Sequence, residues 1–184
     1  MTHIMVDLET LSTEPNAAII AIGAVKFDTE QGIYAKYYQA VASPPLDELV
    51  PMVEDGNGFH ISADTLEWWK QQSDEAKTVF RDPNAQTIKS ALANFKAWAL
   101  HETELDEIRV WGNGASFDNV ILSTAYKMVG VDQPWKFYND RCYRTIKNVA
   151  VNKREIVRKG THHNALDDAE SQAEHLLAMN VRLA

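Results

Sequence analysis

The 184-residue chain has a single cysteine, Cys142, so no internal disulfide forms and stability must come from packing. A lone thiol fits a reducing compartment, and it packs as a small inert side chain more readily than it serves as a nucleophile, so cysteine chemistry is set aside. No apolar run approaches the ~18 residues a membrane-spanning helix needs. The opening Met1-Thr-His-Ile-Met lacks the basic and apolar regions of a secretory leader. A cytoplasmic protein without a membrane partner is therefore expected. No repeat or low-complexity tract interrupts the chain. Positive charge is also scarce: 18 Lys and Arg against 26 Asp and Glu leave a net charge of -8. That sign is wrong for a protein that grips phosphates by counterion release alone.

The remaining composition is that of a globular protein. An apolar content of 45% and this length suit one domain, residues 1–184, with a proper core. The cations are unevenly placed. Arg141, Arg144, Lys147, Lys153, Arg154, Arg158 and Lys159 crowd one stretch, opposed there only by Glu155. This stretch is either an ordinary solvated face or a track for a polyanion backbone, with Lys153, Arg154 and Arg158 as the substrate contacts. The acidic total does not exclude a phosphate substrate, because carboxylates that hold a divalent metal invert the local field.

Periodicity places the elements. His3–Asp7 reads as a strand, followed by apolar β-rich stretches at Ala18–Phe27 and Ile33–Val41 that suggest an antiparallel meander. From Ser62, a candidate N-cap, the pattern turns helical, and a second helix is predicted from Asn84 to about His101. Ile108–Gly112 is a short fourth strand. Helices are predicted from Asp118 to Val129 with Gly130 as terminator, from Arg141 to Val151, and from Asn164 to about Val181. The prolines and glycines of Ala42–Gly58 mark a long mobile loop. These elements predict an α/β fold, a mixed sheet with helices packed against it.

Three clusters carry possible chemistry. Along a strand side chains alternate, so Asp7 and Glu9 share a face, with Cβ atoms ~7 Å apart. Two carboxylates so placed suit paired Mg²⁺ or Mn²⁺ ions ~3.5–4 Å apart, although an amphipathic strand showing acids to water fits them too. In Trp111-Gly-Asn-Gly-Ala-Ser-Phe-Asp118 a strand leaves through a glycine-rich turn into a helix. Asp118 there is an N-cap or a third carboxylate, Phe117 is core or a stacking face for a base, and the glycines allow a ligand close to the backbone. In His162-His-Asn-Ala-Leu-Asp-Asp168 a histidine precedes a helix whose first turn is acidic. It is a structural residue or a general base.

Taken together, Asp-x-Glu, then Phe-Asp after a middle strand, then His-x4-Asp on the last helix resembles the DEDDh (DnaQ-like) 3′-to-5′ exonucleases. The match falls on Asp7, Glu9, Asp118, His163 and Asp168 and spans nearly the whole chain. The Trp68-Trp69 pair, Trp111-Gly-Asn-Gly and Arg144-Thr145 look like a small bacterial and phage subgroup of exoribonuclease-like, or exonuclease VIII-like, proteins. The usual Thr-Thr-Gly after Asp-x-Glu is Thr10-Leu11-Ser12 here, a departure where the terminal nucleotide would meet Thr10, Leu11 and Phe117.

The resemblance implies a ribonuclease H-like fold and two Mg²⁺ or Mn²⁺ ions on Asp7, Glu9, Asp118 and Asp168. It implies that His163 takes a proton from the attacking water, that single-stranded RNA or DNA is the substrate, and that nucleoside 5′-monophosphates leave. It also points towards a homodimer. An endonuclease of similar fold and a catalytically silent module are the other readings. Retention of all five motif residues argues against silence.

His162 with Asp167 satisfies the same spacing as His163 with Asp168. On a helix whose buried stripe is Ala165, Ala169, Ala173 and Leu176, Asp168 lies about 60° from Ala165 and Asp167 about 160° away. That favours Asp168 as the inward acid, and the family pattern selects the same pair.

Overall fold

The computed structural model describes residues 1–52, 58–151 and 155–183. Alternating apolar residues build β1 (Thr2–Thr10), and near-continuous apolar sequence builds the fully covered β2 (Ile19–Asp28). β3 (Gly32–Ala40) completes the expected meander, antiparallel throughout. The helices are α1 (Ala63–Lys70), α2 (Ile88–Leu100), α3 (Asp118–Val129), α4 (Tyr143–Val149) and α5 (Ala165–Ala178). Two further strands, β4 (Ile108–Gly112) and β5 (Asp140–Cys142), add in parallel, giving the order β3-β2-β1-β4-β5.

The two faces of β1 sort the core. Ile4, Val6 and Leu8 pack with Leu92, Phe95 and Ala99 of α2 and Ile121, Leu122 and Ala125 of α3. Met5, on the other face, packs with Val25, Trp111 and the α5 stripe Ala169, Ala173 and Leu176. A third cluster, around Leu11, Ile20 and Trp69, seats α1, and Trp69 donates its indole N–H to the Thr10 carbonyl at 2.9 Å.

Most predicted elements are present, and the differences have local causes. Ser62 caps α1 by accepting the Thr65 N–H, as expected. α2 starts at Ile88 rather than Asn84 because Thr87 is the cap and Asp82 draws the Asn84 N–H into a turn. The helix predicted from Arg141 begins at Tyr143, since Asp140–Cys142 instead pairs with Val110–Gly112. Three residues are too few for periodicity to reveal a strand. The last helix ends at Ala178, capped at its start by Asn164. Of the predicted loop at 42–58, residues 53–57 lie outside the described residues, as do Lys153 and Arg154.

One contact sets the height of α5 above the sheet. Gly23 stands opposite Asp7 in the β1–β2 register, and a Cβ there would meet the Ala165 carbonyl carbon at 2.1 Å. Backbone packed on backbone leaves no side chain able to yield. Gly23→Ala should therefore destabilise the fold by about 1–3 kcal/mol, as overpacking does, lowering the melting temperature by several degrees. An unchanged thermal melt would show that α5 has slack.

Candidate active site

The acids of β1 do not face water. They project from the α5 side of the sheet, where Glu9 is only 6% exposed, so the amphipathic reading of this strand does not hold. With Gly23 clearing the way, the first turn of α5 descends beside Asp7 and brings Asp168 into the same space. Carboxylate oxygens of Asp7, Glu9 and Asp168 all lie within 4.8 Å of one another. One turn further along α5, Gln172 donates to Asp7 Oδ1 at 2.8 Å.

Asp118 reaches this cluster from the other neighbour of β1. It is the first residue of α3, after Phe117 at the cap position, so its carboxylate is not spent on capping its own helix. Backbone N–H groups of Leu8, Asp118 itself and Asn113 lie near the carboxylate and favour its charged form. Leu8 lies beyond Met5↔Trp111, the last pair of the β1–β4 ladder. The expectation that Gly112 clears space for a ligand is corrected: a Cβ there would strike Asn119 Oδ1 at 2.5 Å and Asp118 Cβ at 2.8 Å. The glycine admits the helix start. Asn119 then ties that start to β4 and β5 through the Val110 carbonyl at 3.0 Å and Asp140 Oδ1 at 2.8 Å.

Crowding and burial make these acids hard to ionise. Burial, followed by the charges of Asp168 and Asp118, pushes the Glu9 carboxyl up to about 8. Burial, then Asp118, Glu9 and Asp168, raises Asp7 well above the carboxylate range. Asp118 is raised to about 7 by burial, against the pull of its N–H donors and Arg144. Glu9 Oε1 is buried without a hydrogen-bond partner among the described residues. A buried acceptor left unpaired is costly and marks a place for a ligand. Hard carboxylate oxygens crowded in this way, one of them unpartnered, fit a divalent cation.

The two adjacent acids take different partners. Asp168 Oδ2 accepts the His163 N–H at 3.0 Å, and Arg158 Nη1 lies 2.7 Å from its Oδ1. Asp167 turns away and accepts the Thr161 N–H at 2.7 Å, holding the turn before α5. His163 has a positive φ of 63° and stands edge-on to Trp68, ring centroids 4.7 Å apart. Burial, then neighbouring His162, lower its pKa.

These groups line a cleft of about 680 Å³. Thr10, Phe117, Arg144, Lys147 and Arg158 reach it, but Leu11, expected to touch substrate, is 1% exposed in the core cluster beneath α1. The basic stretch is not one face either. Arg141 bonds the Tyr138 and Asp140 carbonyls, and Lys159 pairs with Glu174. Sequence reading missed Gln172, as well as Ser12 and His60, whose Oγ and Nδ1 meet at 2.6 Å on the cleft wall. Only contacts between distant segments reveal them. Trp68 is 40% exposed beside fully buried Trp69.

The family model of the 3′-5′ exoribonuclease Rv2179c-like domain matches residues 2–180. The chain belongs to this family. A curated relative, an exodeoxyribonuclease of enterobacteria phage T4, is 26% identical over 161 residues, 79% of this chain and 70% of the phage protein. Among solved structures, the nuclease domain of 3′hExo, a DEDDh family member bound to rAMP, aligns with a TM-score of 0.61 at 14% identity. That alignment covers 97% of this chain and 91% of that one. E. coli exonuclease I in complex with a dT13 oligonucleotide gives 0.63 at 13% identity, over 98% of this chain and 41% of the larger enzyme. The α/β sheet is the ribonuclease H-like one of these DEDDh neighbours, and the Rv2179c-like chain is a 3′-5′ exonuclease of a divalent-metal-dependent type.

The acid cluster dictates how stability responds to pH. Burial pushes Glu9 and Asp118 up to about 8 and about 7, from ordinary values of 4.5 and 3.8. The folded chain thus holds more protons than the unfolded one across that window, and metal-free protein loses stability as pH rises through it. In chelator, Glu9→Gln should melt above the wild type at pH 8 and close to it at pH 4. Added Mn²⁺ should stabilise the wild type at pH 8 far more than the variant. A constant gap between the two melting curves would show that Glu9 is not the strained acid described.

Proposed function

We propose that the protein removes nucleoside 5′-monophosphates one at a time from the 3′ end of single-stranded nucleic acid. Asp7, Glu9, Asp118 and Asp168 would hold two Mg²⁺ or Mn²⁺ ions, and His163 would be the general base. The observation that carries this reading is the convergence of buried carboxylates on one cleft with the Glu9 oxygen left unpartnered. When bound, divalent ions at such a site lower the pKa of a water and neutralise charge on the phosphodiester and its leaving oxygen.

The protein's own groups supply the rest. Gln172 orients Asp7 through its amide, and backbone N–H groups stand near the Asp118 carboxylate. His163, tethered through its own N–H to Asp168 and with its pKa lowered by burial, accepts the proton that the attacking water loses. Arg144, Lys147 and Arg158 give the acidic protein its local positive wall, where phosphates of the entering strand would run. The exposed Trp68 and the cleft-lining Phe117 offer ring faces on which unpaired bases stack regardless of sequence.

Labelled single-stranded RNA and DNA, incubated with Mn²⁺ and resolved by length, should each give a ladder shortening from the 3′ end, with mononucleotide product. Cleavage of a circular strand would instead make the enzyme an endonuclease. His163→Ala should lower kcat by ~10²–10⁴ while His162→Ala loses less than about tenfold. Asp168→Asn should lose at least as much as His163→Ala, and Asp167→Asn far less. Greater sensitivity at His162 and Asp167 would reverse the assignment of the two pairs.

A further inference from the structure

The three residues His162, His163 and Asp168 offer two imidazole nitrogens and a carboxylate oxygen within 4.8 Å of one another, beside the all-oxygen cluster and sharing Asp168 with it. Side chains of consecutive residues normally diverge. Here the left-handed backbone of His163, φ 63°, folds them together, so that the two rings lie 3.8 Å apart and 35° from parallel. That conformation is uncommon for a residue with a Cβ. It is held by the His163 N–H on Asp168 and by Asn164, which caps α5 by accepting the Leu166 and Asp167 N–H groups.

We propose that this trio is an inhibitory metal site that takes a borderline-soft divalent ion, Zn²⁺, in preference to the Mg²⁺ or Mn²⁺ that serves catalysis. The donor chemistry makes the distinction. Carboxylate oxygens alone suit hard cations, whereas two imidazoles with one carboxylate and an open fourth position match zinc. His162 is solvent-exposed, so an ion reaches the site without opening the cleft. A cation already seeks the same acid: the Arg158 guanidinium stands on Asp168 Oδ1 at 2.7 Å, and its side chain is 53% exposed, free to swing away.

Inhibition follows from what the ion would occupy. It would engage the imidazole that accepts the water proton and draw Asp168 from the catalytic cluster. This half of the inference rests on the role of His163 proposed above; binding itself does not.

The test uses tag-free full-length protein. With ¹⁵N-labelled histidine, one equivalent of Zn²⁺ should shift the ring nitrogens of both His162 and His163, and excess Mg²⁺ should not reverse the shift. Glu9→Gln, which cripples the oxygen cluster, should leave that response intact. In an exonuclease assay at saturating Mg²⁺, Zn²⁺ should inhibit the wild type. His162→Ala should need at least about tenfold more zinc for the same effect, since even losing an outer-shell partner costs 10–100-fold in affinity. Histidine resonances unmoved by zinc, or a His162→Ala enzyme as zinc-sensitive as the wild type, would overturn the site. Zinc that ligates both rings while turnover continues at full rate would leave the site standing and remove His163 from its role as base.

Discussion

Four carboxylates held together against their own repulsion are the constraint to which this fold answers. Unfolded, Asp7, Glu9, Asp118 and Asp168 would separate and ionise freely. Folded, they line one cleft, where burial raises the proton affinity of Asp7, Glu9 and Asp118 and neighbouring carboxylates raise that of Asp7 and Glu9 further. Other parts of the chain supply the stabilisation this requires, through the apolar clusters on both faces of the sheet. A divalent cation turns the same repulsion into attraction, so the apo protein is built for an occupant it does not itself provide.

Sheet topology explains how acids from distant parts of the sequence meet. β1 is central, with an antiparallel neighbour on one side and a parallel one on the other. The parallel neighbour, β4, runs out while β1 continues, which leaves an N–H of β1 for Asp118 to bind and points α3 at the cluster. On the antiparallel side, Gly23 removes the side chain that would hold α5 away. Each acid is thus delivered by a different device, and each device is backbone geometry rather than a charge interaction.

The net charge of -8 is reconciled with a polyanionic substrate by the same arrangement. Part of the acidity is gathered where cations would cancel it, and Arg144, Lys147 and Arg158 stand around the rim. Trp68 and Phe117 add uncharged aromatic surface to the same cleft.

The sequence by itself brought forward the candidate acids and the histidine, because their order and spacing, which survive without coordinates, resemble those of a known family. It also determined the meander, the capped helices and the inward stripe of α5, since periods of 2 and 3.6 are local properties. Only the tertiary structure decided the rest. It showed that Asp7 and Glu9 face α5 and not water, that Leu11 belongs to the core, and that β5 exists. It separated Asp167 from Asp168 by what each carboxylate binds, and among the described residues of the basic stretch it brought Arg144, Lys147 and Arg158 to the cleft. Partners such as Gln172 for Asp7, or His60 for Ser12, are 165 and 48 residues apart. No local pattern encodes such a contact; it exists because the packing of helices on the sheet brings the two side chains to one place.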